Sequence, residues 1–356
     1  MCRGYQILLS RLLLYDLPGL NKSTWRDYRN AMPSPELTQH LAESVQRSRA
    51  TVWWLVRIMV PASAAVFILE RTGVLAVIAG WLEPVMRLID LPGGAAMALI
   101  SSVLVNLYAV IAMLPVLGLT QRQLVILALL CLVAHNYLVE LPVTKKTGTP
   151  IPRMFVVRTL GGLLLAWSVA QILPTAGAWG ETVALPGSAV AGSPTVVPLG
   201  AALVDWAVGL ASLLARVAVI VSALVFVTRY LQYRGALTAM TRWFQKPLDI
   251  LGLPHSSGPA WIVANTLGLA YGSAVLKEEA ESGRLNAADG DLLNHHLGVS
   301  HSLLEDTALF AALGAPALWL ILPRVTLAFA VVWERKIERK IVGLIRARGA
   351  TEDPAL

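Results

Sequence analysis

Charged side chains are scarce in this chain. They make up 14% of its 356 residues, whereas hydrophobic residues make up 56%. A soluble domain usually carries about a quarter charged residues, and the mean hydropathy of this sequence is +0.63. The composition therefore excludes an ordinary soluble globular protein and predicts an integral membrane protein whose main partner is the lipid bilayer.

Cysteine and the usual catalytic motifs are also scarce. The only cysteines are Cys2 and Cys131, so neither a disulfide framework nor a cysteine zinc motif can be built. The sequence has no nucleotide-binding P-loop, Rossmann glycine pattern, nucleophile elbow or zinc-peptidase helix. We therefore predict that the protein is not an enzyme and needs no cofactor, with a divalent cation as the one possible exception.

The basic excess gives a net charge of +7. The basic residues stand at the ends of apolar runs and in the tail that begins at Arg335, and they are not interleaved with aromatic residues. This distribution is typical of cytoplasmic loops and argues against a nucleic-acid partner.

Long apolar stretches dominate the rest of the chain. Eight of them are near the length of about 20 residues that crosses a hydrocarbon core: 52–70, 97–118, 122–141, 154–173, 201–228, 258–276, 292–313 and 316–334. Two shorter segments, 73–90 and 235–252, could be re-entrant or could span the membrane. The predicted fold class is all-α, a polytopic transmembrane protein with about 8–10 membrane segments.

One sequence pattern occurs twice, with the same spacing between all of its matched pairs. These pairs are His135 and His301, Glu140 and Asp306, Arg158 and Arg324, and Trp167 and Trp333. Duplicated membrane domains are common in transporters, where the two copies are often inverted. We predict an N-terminal extension (1–50), a first repeat (51–173), an extracytoplasmic linker (174–199), a second repeat (200–334) and a basic cytoplasmic tail (335–356). The segment before Met32 is interpreted as a mis-assigned start or an extension.

Five ionisable residues fall inside or at the ends of apolar segments, namely His135, Glu140, His301, Glu305 and Asp306. Such groups are costly in a membrane and usually face a cavity, a partner or an ion path. The functional interpretation is a site that binds a substrate or a cation. The structural alternative is that the carboxylates neutralise Arg158 and Arg324 and hold helices together.

The second copy carries additional candidates. On a regular helix His301 and Glu305 would face the same way, and with His296 they could hold Zn²⁺, Fe²⁺ or Mn²⁺, although the spacing fits no named metal motif. Asn265 precedes a stretch of small residues that starts at Gly268. That stretch is either a close-packed helix face or a broken helix that lines a cavity.

Arg324 lies about eight residues into its apolar run. An unpaired guanidinium at that depth costs at least ~2.5 kcal/mol, so we expect it to have a partner. The sharper hypothesis pairs Arg324 with an acidic residue from the other repeat.

Three strings of residues resemble those of bacterial membrane proteins with the nucleoside recognition, or Gate, domain. They are Leu269–Glu279, Asn294–Thr307 and, in the first half, Ala134–Gly148. The resemblance covers about residues 50–335. Similar domains occur in concentrative nucleoside transporters, in the gate region of ferrous-iron transporters and in spore-maturation membrane proteins.

The resemblance implies a gated, helical, transporter-like fold in the bacterial inner membrane, crossing it several times. We expect a secondary transporter or permease for a small solute or ion, bound near the membrane midplane between the repeats. A second copy of the chain, in a homo-oligomer, is a further candidate partner. The alternatives are divalent-metal transport through the His/acid cluster and a non-transporting scaffold of spore-maturation type. The chain carries no GTPase domain of the kind that accompanies ferrous-iron transporters.

Overall fold

A computed structural model describes residues 35–185, 198–234, 243–268, 275–276, 279, 283 and 285–352. The predicted N-terminal extension before Met32 and most of the small-residue stretch after Gly268 lie outside these residues. The chain divides into two compact units, residues 1–44 and residues 45–356. The first is described only from Pro35, where a helix begins, and all contacts below are within the second.

The described chain is almost entirely helical, which confirms the predicted all-α class. Its α-helices are α1 (Pro35–Arg71), α2 (Val74–Arg87), α3 (Ala95–Leu104), α4 (Leu107–Leu117), α5 (Gln121–Val133), α6 (Tyr137–Lys146), α7 (Ile151–Ile172), α8 (Leu199–Tyr233), α9 (Gln245–Ile250), α10 (Gly258–Leu267), α11 (Ala287–Val299), α12 (Glu305–Ala311) and α13 (Ala317–Glu352). Among the described residues, extended pairing is limited to one isolated bridge between Thr120 and Thr182.

Four described helices are long and apolar enough to cross a membrane. They lie in α1, α7, α8 and α13. A fifth crossing is possible if α5 and α6, which meet at an angle of 43°, act together as one broken span. The described part of the chain therefore provides four or five candidate spans, compared with the eight to ten segments expected from the sequence.

The difference arises because several apolar stretches are not single helices. The stretch 97–118 falls on α3 and α4, 122–141 on α5 and part of α6, and 292–313 on part of α11 and on α12. A hydropathy window averages over such breaks, since it measures apolar character and not helix continuity. Each of these stretches is consequently a pair of short helices.

The short helices α5 and α11 form the centre of the molecule. Every residue of α5 from Leu124 to Val133 is buried, and so is every residue of α11 from Gly290 to Val299. Helix α5 packs mainly on α7, α11 packs mainly on α13, and α7 and α11 contact each other. The long helices α7 and α13 therefore pack against an inner pair of short helices whose central residues are buried.

Local sequence explains where the inner helices begin. Thr120 and Gln123 form a reciprocal capping box at the start of α5, and the Asn286 side chain accepts a hydrogen bond from the Asp289 amide at the start of α11. Each cap satisfies amide groups that have no partner within the helix. Both helices thus start at residues suited to the N-cap position.

The described helix boundaries follow the spacing of the sequence pattern. The interval of 166 positions between His135 and His301 recurs in the helix boundaries. It separates the first residue of α5 from that of α11, the last residue of α5 from that of α11, and the first residue of α7 from that of α13. Gly148 and Gly314, with φ angles of 110° and 105°, precede α7 and α13 at the same spacing. The inverted relation between the two halves stays a prediction.

Candidate functional site

Two helix breaks bring the predicted site residues together. Helix α5 stops just before His135 and helix α11 stops just before His301. The residue after each histidine, Asn136 or Ser302, has a positive φ, 52° or 50°. Left-handed backbone is unusual for residues other than glycine, although Asn adopts it more readily than most. This conformation redirects the chain into the next short helix.

Each break is held by a backbone hydrogen bond to the C-terminal part of another short helix, α3 or α10. The Asn136 amide donates to the Ser102 carbonyl at 2.8 Å, and the Ser302 amide donates to the Ala264 carbonyl at 3.1 Å. Backbone groups freed inside a membrane must find partners within the protein, because lipid supplies none. These bonds therefore give the amide at each break a partner within the protein.

The two histidines meet. The His135 and His301 Nε2 atoms lie 3.1 Å apart, and both side chains are buried, with 6% and 2% exposure. The imidazole ring centroids are 4.9 Å apart, with 45° between the ring planes. Residues that match in the sequence pattern thus form one shared contact.

The other ring nitrogen of each histidine faces backbone. His135 Nδ1 lies 3.1 Å and 3.0 Å from the carbonyl oxygens of Cys131 and Leu132, and His301 Nδ1 lies 2.7 Å from that of Leu297. A carbonyl oxygen can only accept, so each Nδ1 carries the proton that it donates. In the neutral imidazole the Nε2 atom is then an acceptor.

Glu140 completes the cluster. Its Oε1 atom lies 3.3 Å from His135 Nε2 and 3.4 Å from His301 Nε2. Its Oε2 atom accepts a 2.6 Å hydrogen bond from Arg158 Nη1. Among the described residues, His135, Glu140 and His301 are the group of histidines and acids whose ligand atoms are close enough to share one metal ion. We refer to these three residues as the central cluster.

Arg158 is fully buried but has a partner for each part of its guanidinium. Besides Glu140, it donates from Nε to the Val133 carbonyl at 2.8 Å and from Nη2 to the His135 carbonyl at 2.9 Å. These carbonyls belong to the end of α5 and the break, where backbone acceptors lack helical partners. Arg158 therefore fixes the Glu140 carboxylate and closes the end of α5 at the same time.

Arg324 has different partners from Arg158. Among the described residues it does not pair with an acidic residue of the first half, so that hypothesis is wrong. It donates to the Leu320 carbonyl at 2.8 Å, the His301 carbonyl at 3.3 Å and Thr307 Oγ1 at 2.8 Å. All three acceptors lie in its own half. Hydrogen bonds to neutral oxygens of nearby chain satisfy the guanidinium without a carboxylate from the other half.

Glu305 and Asp306 lie outside the central cluster. Glu305 Oε1 accepts a 2.8 Å hydrogen bond from the hydroxyl of Tyr108, a residue that the sequence pattern does not single out. The helical spacing assumed for His301 and Glu305 is also wrong, because α11 ends at Val299 and α12 begins at Glu305. Five residues lie between the two helices, so the rotation of 100° per residue of a regular helix, which the prediction assumed, does not apply here.

Several buried oxygens near the second break have no hydrogen-bond partner within the described structure. They are Asn265 Oδ1, Ser300 Oγ and Asp306 Oδ2. The Asn265 amide nitrogen donates to the Trp261 carbonyl at 2.9 Å, and its backbone carbonyl accepts from the Leu304 amide at 3.2 Å. Buried polar atoms without partners are rare in proteins, and they mark positions where a ligand, a water or an ion can bind.

His296 is held apart from His301 and Glu305. Its Nε2 atom accepts a 2.7 Å hydrogen bond from the indole of Trp261, and the imidazole is fully buried. The predicted ligand set of His296, His301 and Glu305 is therefore not assembled, because each residue has a different neighbour. The structure groups His301 with His135 and Glu140, a combination that requires contact between the two halves.

A second charged network lies at the far end of α11. Asp291 accepts from Thr149 at 2.6 Å and from Arg335 Nε at 2.7 Å, and Arg339 also pairs with it. Burial alone would raise the pKa of Asp291, but the hydrogen bonds from Thr149 and Arg335 hold the pKa below its ordinary value. This network ties α11 to α13 and to the start of α7.

Comparison with known proteins finds a relative that is similar over most of the chain. The chain is 30% identical over 295 residues to the uncharacterized membrane protein YvoD of Bacillus subtilis (strain 168), and the match covers 80% of this chain and 92% of that protein. No solved structure matches this chain. The long candidate spans and this relative agree that the protein is a multi-pass membrane protein.

The sequence profile of the Gate family, described as nucleoside recognition, matches residues 52–150. The matched segment contains α2 to α6, and with them His135 and Glu140 of the central cluster. Together with the similarity to YvoD over most of both chains, this match shows that the protein belongs to the Gate, or nucleoside recognition, family of bacterial membrane proteins.

Proposed function

We propose that this protein is a secondary transporter or permease of the bacterial inner membrane that moves a small solute or ion, and that the central cluster is its cation site. The observation that carries the proposal is the contact of His135, Glu140 and His301 inside the helical bundle. Ionisable residues within membrane segments are expensive, and they commonly mark ion pathways.

The helix breaks support the same function. Transporter binding sites are often formed by discontinuous helices whose irregular backbone is exposed to the substrate. Here α5 and α6 form one interrupted helix and α11 and α12 form another, and both histidines lie at the interruptions. The unpartnered oxygens of Asn265, Ser300 and Asp306 offer acceptors for a polar solute beside the cluster.

The electrostatics suit a positive ligand. Arg158 is paired with Glu140 through Oε2, which leaves Oε1 beside two neutral acceptor nitrogens. A cation bound among these three atoms would be shielded from lipid by α7 and α13. We infer that the described conformation is the occluded state, since all three side chains are buried.

A membrane scaffold is the second candidate, and the Arg158–Glu140 ion pair favours it. A buried pair at 2.6 Å satisfies both charges and could serve helix packing alone. A scaffold does not move ions across the membrane, so a measurement of ion flux distinguishes it from a transporter.

Ion flux into proteoliposomes separates the two functions. Purified protein would be reconstituted with an entrapped pH dye or an entrapped zinc dye, and gradients of H⁺ or Zn²⁺ would be imposed. We expect protein-dependent flux of at least one ion that is lost in the double variant His135→Ala/His301→Ala. His255→Ala is the matched control, because His255 is exposed and bonds Asp249 instead. Folded, inserted wild-type protein that moves neither ion would support the scaffold.

The nucleoside recognition name suggests a further probe. Labelled uridine can be added to the same vesicles with and without the ion gradient. Uptake driven by the gradient would identify a nucleoside as the solute, whereas ion flux without uridine uptake would leave the transport function intact and exclude this solute.

A further inference from the structure

The three acceptor atoms of the central cluster have the geometry of metal ligands. We propose that His135 Nε2, His301 Nε2 and Glu140 Oε1 bind one tetrahedral divalent transition-metal ion of the Zn²⁺ class, with a fourth position open to the transported species. This inference rests on the proposed function for the role of the ion, and the geometry itself supplies the ligand set.

The distances between the ligand atoms carry the argument. They are 3.1 Å, 3.3 Å and 3.4 Å, so the three atoms form a nearly equilateral triangle. Zinc bonds to histidine nitrogen and carboxylate oxygen are about 2.0–2.2 Å long, which places the corners of a tetrahedron about 3.3–3.5 Å apart. The triangle therefore matches one face of a zinc coordination sphere.

A proton shared between a histidine and Glu140 explains the distances in this triangle less well than a metal ion does. A charge-assisted hydrogen bond between an imidazolium and a carboxylate is about 2.7–2.9 Å long, whereas the two Nε2–Oε1 distances are 3.3 Å and 3.4 Å. A proton also joins two atoms along one line, while here three atoms are mutually close. One ion at the centre of the coordination sphere contacts all three.

The surroundings of the ligands are those of metal sites. Histidine ligands usually donate their second ring nitrogen to a carbonyl or carboxylate, which fixes the tautomer and aims the free nitrogen at the metal. His135 and His301 both do so through Nδ1. Arg158 binds the remaining oxygen of Glu140, which aims Oε1 at the histidines.

The chemistry of the ligand set defines the class of ion. Two imidazoles and one carboxylate suit Zn²⁺ and its neighbours in the first transition row, whereas Mg²⁺ and Ca²⁺ prefer sites made only of oxygen. A site with three protein ligands keeps one position open, as zinc sites that act on a ligand do. We expect Zn²⁺ and Co²⁺ to bind and Mg²⁺ not to compete.

Equilibrium binding of Zn²⁺ in detergent tests the proposal without any transport step. Full-length protein would be stripped with a chelator and titrated with Zn²⁺ against a chromophoric competitor, with excess Mg²⁺ present. We expect one Zn²⁺ per chain in the wild type and in the controls His255→Ala and His296→Gln. The variants Glu140→Gln and His135→Ala/His301→Ala should lose this stoichiometric binding. Unchanged binding in these variants, or none in folded wild type, would overturn the proposal.

Spectroscopy on the wild type covers the case in which a variant does not fold. X-ray absorption of the zinc-loaded protein should show four light-atom ligands with imidazole scattering from two histidines, and the Co²⁺ form should have the intense visible bands of a tetrahedral ion. Absent imidazole scattering, or an octahedral Co²⁺ spectrum, would contradict the assignment. Zinc binding without flux in vesicles would reject only the transport function, and proton flux without zinc binding would reject only the metal site.

Discussion

His135 Nε2 and His301 Nε2 lie 3.1 Å apart, although 166 residues separate them in the chain. Each histidine stands where a short central helix ends, and each orients its ring through a carbonyl of that helix. The contact therefore depends on both helix ends at once, and a shift of either α5 or α11 along its axis would open it. The stability of the two breaks is consequently part of the function proposed for the site.

Removal of Arg158 should destabilise the protein more than removal of Arg324. Arg158→Leu leaves the buried Glu140 carboxylate without its partner, and breaking a buried ion pair on one side costs about 3–5 kcal/mol. Arg324→Leu removes hydrogen bonds to neutral oxygens, where an unsatisfied group costs about 1–3 kcal/mol. Thermal unfolding in detergent should rank wild type above Arg324→Leu and Arg324→Leu above Arg158→Leu.

The double variant Arg158→Leu/Glu140→Leu is the control for this interpretation. It removes both charges together, so it should recover part of the stability lost in Arg158→Leu. A double variant that is less stable than Arg158→Leu alone would mean that the carboxylate is not the source of the cost.

Relief of the positive φ at Ser302 should stabilise the second break. The left-handed conformation costs about 1–2 kcal/mol for residues with a Cβ atom and little for glycine. Ser302→Gly should therefore unfold at a higher temperature than Ser302→Ala, a variant that also lacks the hydroxyl group. At Ser63, inside α1, the same pair of substitutions should have the opposite order, since glycine weakens a helix. Equal midpoints for the two Ser302 variants would argue against strain at this residue.

Gly290 should tolerate no larger side chain. A Cβ atom at this position would lie 2.6 Å from the Thr147 carbonyl oxygen, a backbone atom that cannot move aside without displacing the connection between α6 and α7. Gly290→Ala should lower the thermal midpoint. Gly343→Ala is the matched control in α13, where a Cβ atom would have no neighbour within 4 Å. That variant should be as stable as wild type or more stable by up to about 1 kcal/mol, because alanine favours the helix.

The Asp291 network should make stability depend on acidity. The pKa of Asp291 is held below its ordinary value in the folded protein, so the ionised carboxylate stabilises the fold at all pH values above the unfolded-state pKa of about 3.9. This contribution is lost as the pH falls through that value toward the lower folded pKa. Midpoints measured from pH 6 to pH 3 should fall, and Asp291→Asn should fall less steeply. If the midpoints of wild type and Asp291→Asn fell equally with pH, a group other than Asp291 would cause the acid sensitivity.

The helical class and the membrane location were predictable from composition, because both depend on the amount and grouping of apolar residues. His135, Glu140 and His301 were also found from sequence, since ionisable residues in apolar stretches are rare and these occur at a fixed spacing. The number of spans was not predictable in the same way. Hydropathy averages over a break such as the one between α5 and α6, where Asn136 with its positive φ redirects the chain inside an apolar stretch.

The partners of the site residues could not be predicted, because they depend on which helices pack together. Tyr108 bonds Glu305 from 197 positions away, and Trp261 bonds His296 from 35 positions away. Neither residue has a local pattern that signals this role. The spacing of the sequence pattern matched Glu140 with Asp306 but gave no sign that only Glu140 would lie close to both histidines.

A membrane protein needs apolar surface to contact lipid and polar side chains to carry its chemistry. The burial of α5 and α11 places these two requirements on different helices. The long candidate spans need sufficient length and apolar surface, whereas Leu124–Val133 of α5 and Gly290–Val299 of α11 are buried among protein neighbours. Asn294, His295 and His296 are therefore tolerated in consecutive positions of α11, where a lipid-facing helix would pay a high cost for such polar side chains. The requirement for an apolar surface falls on the long helices, and the buried short helices can carry polar chemistry.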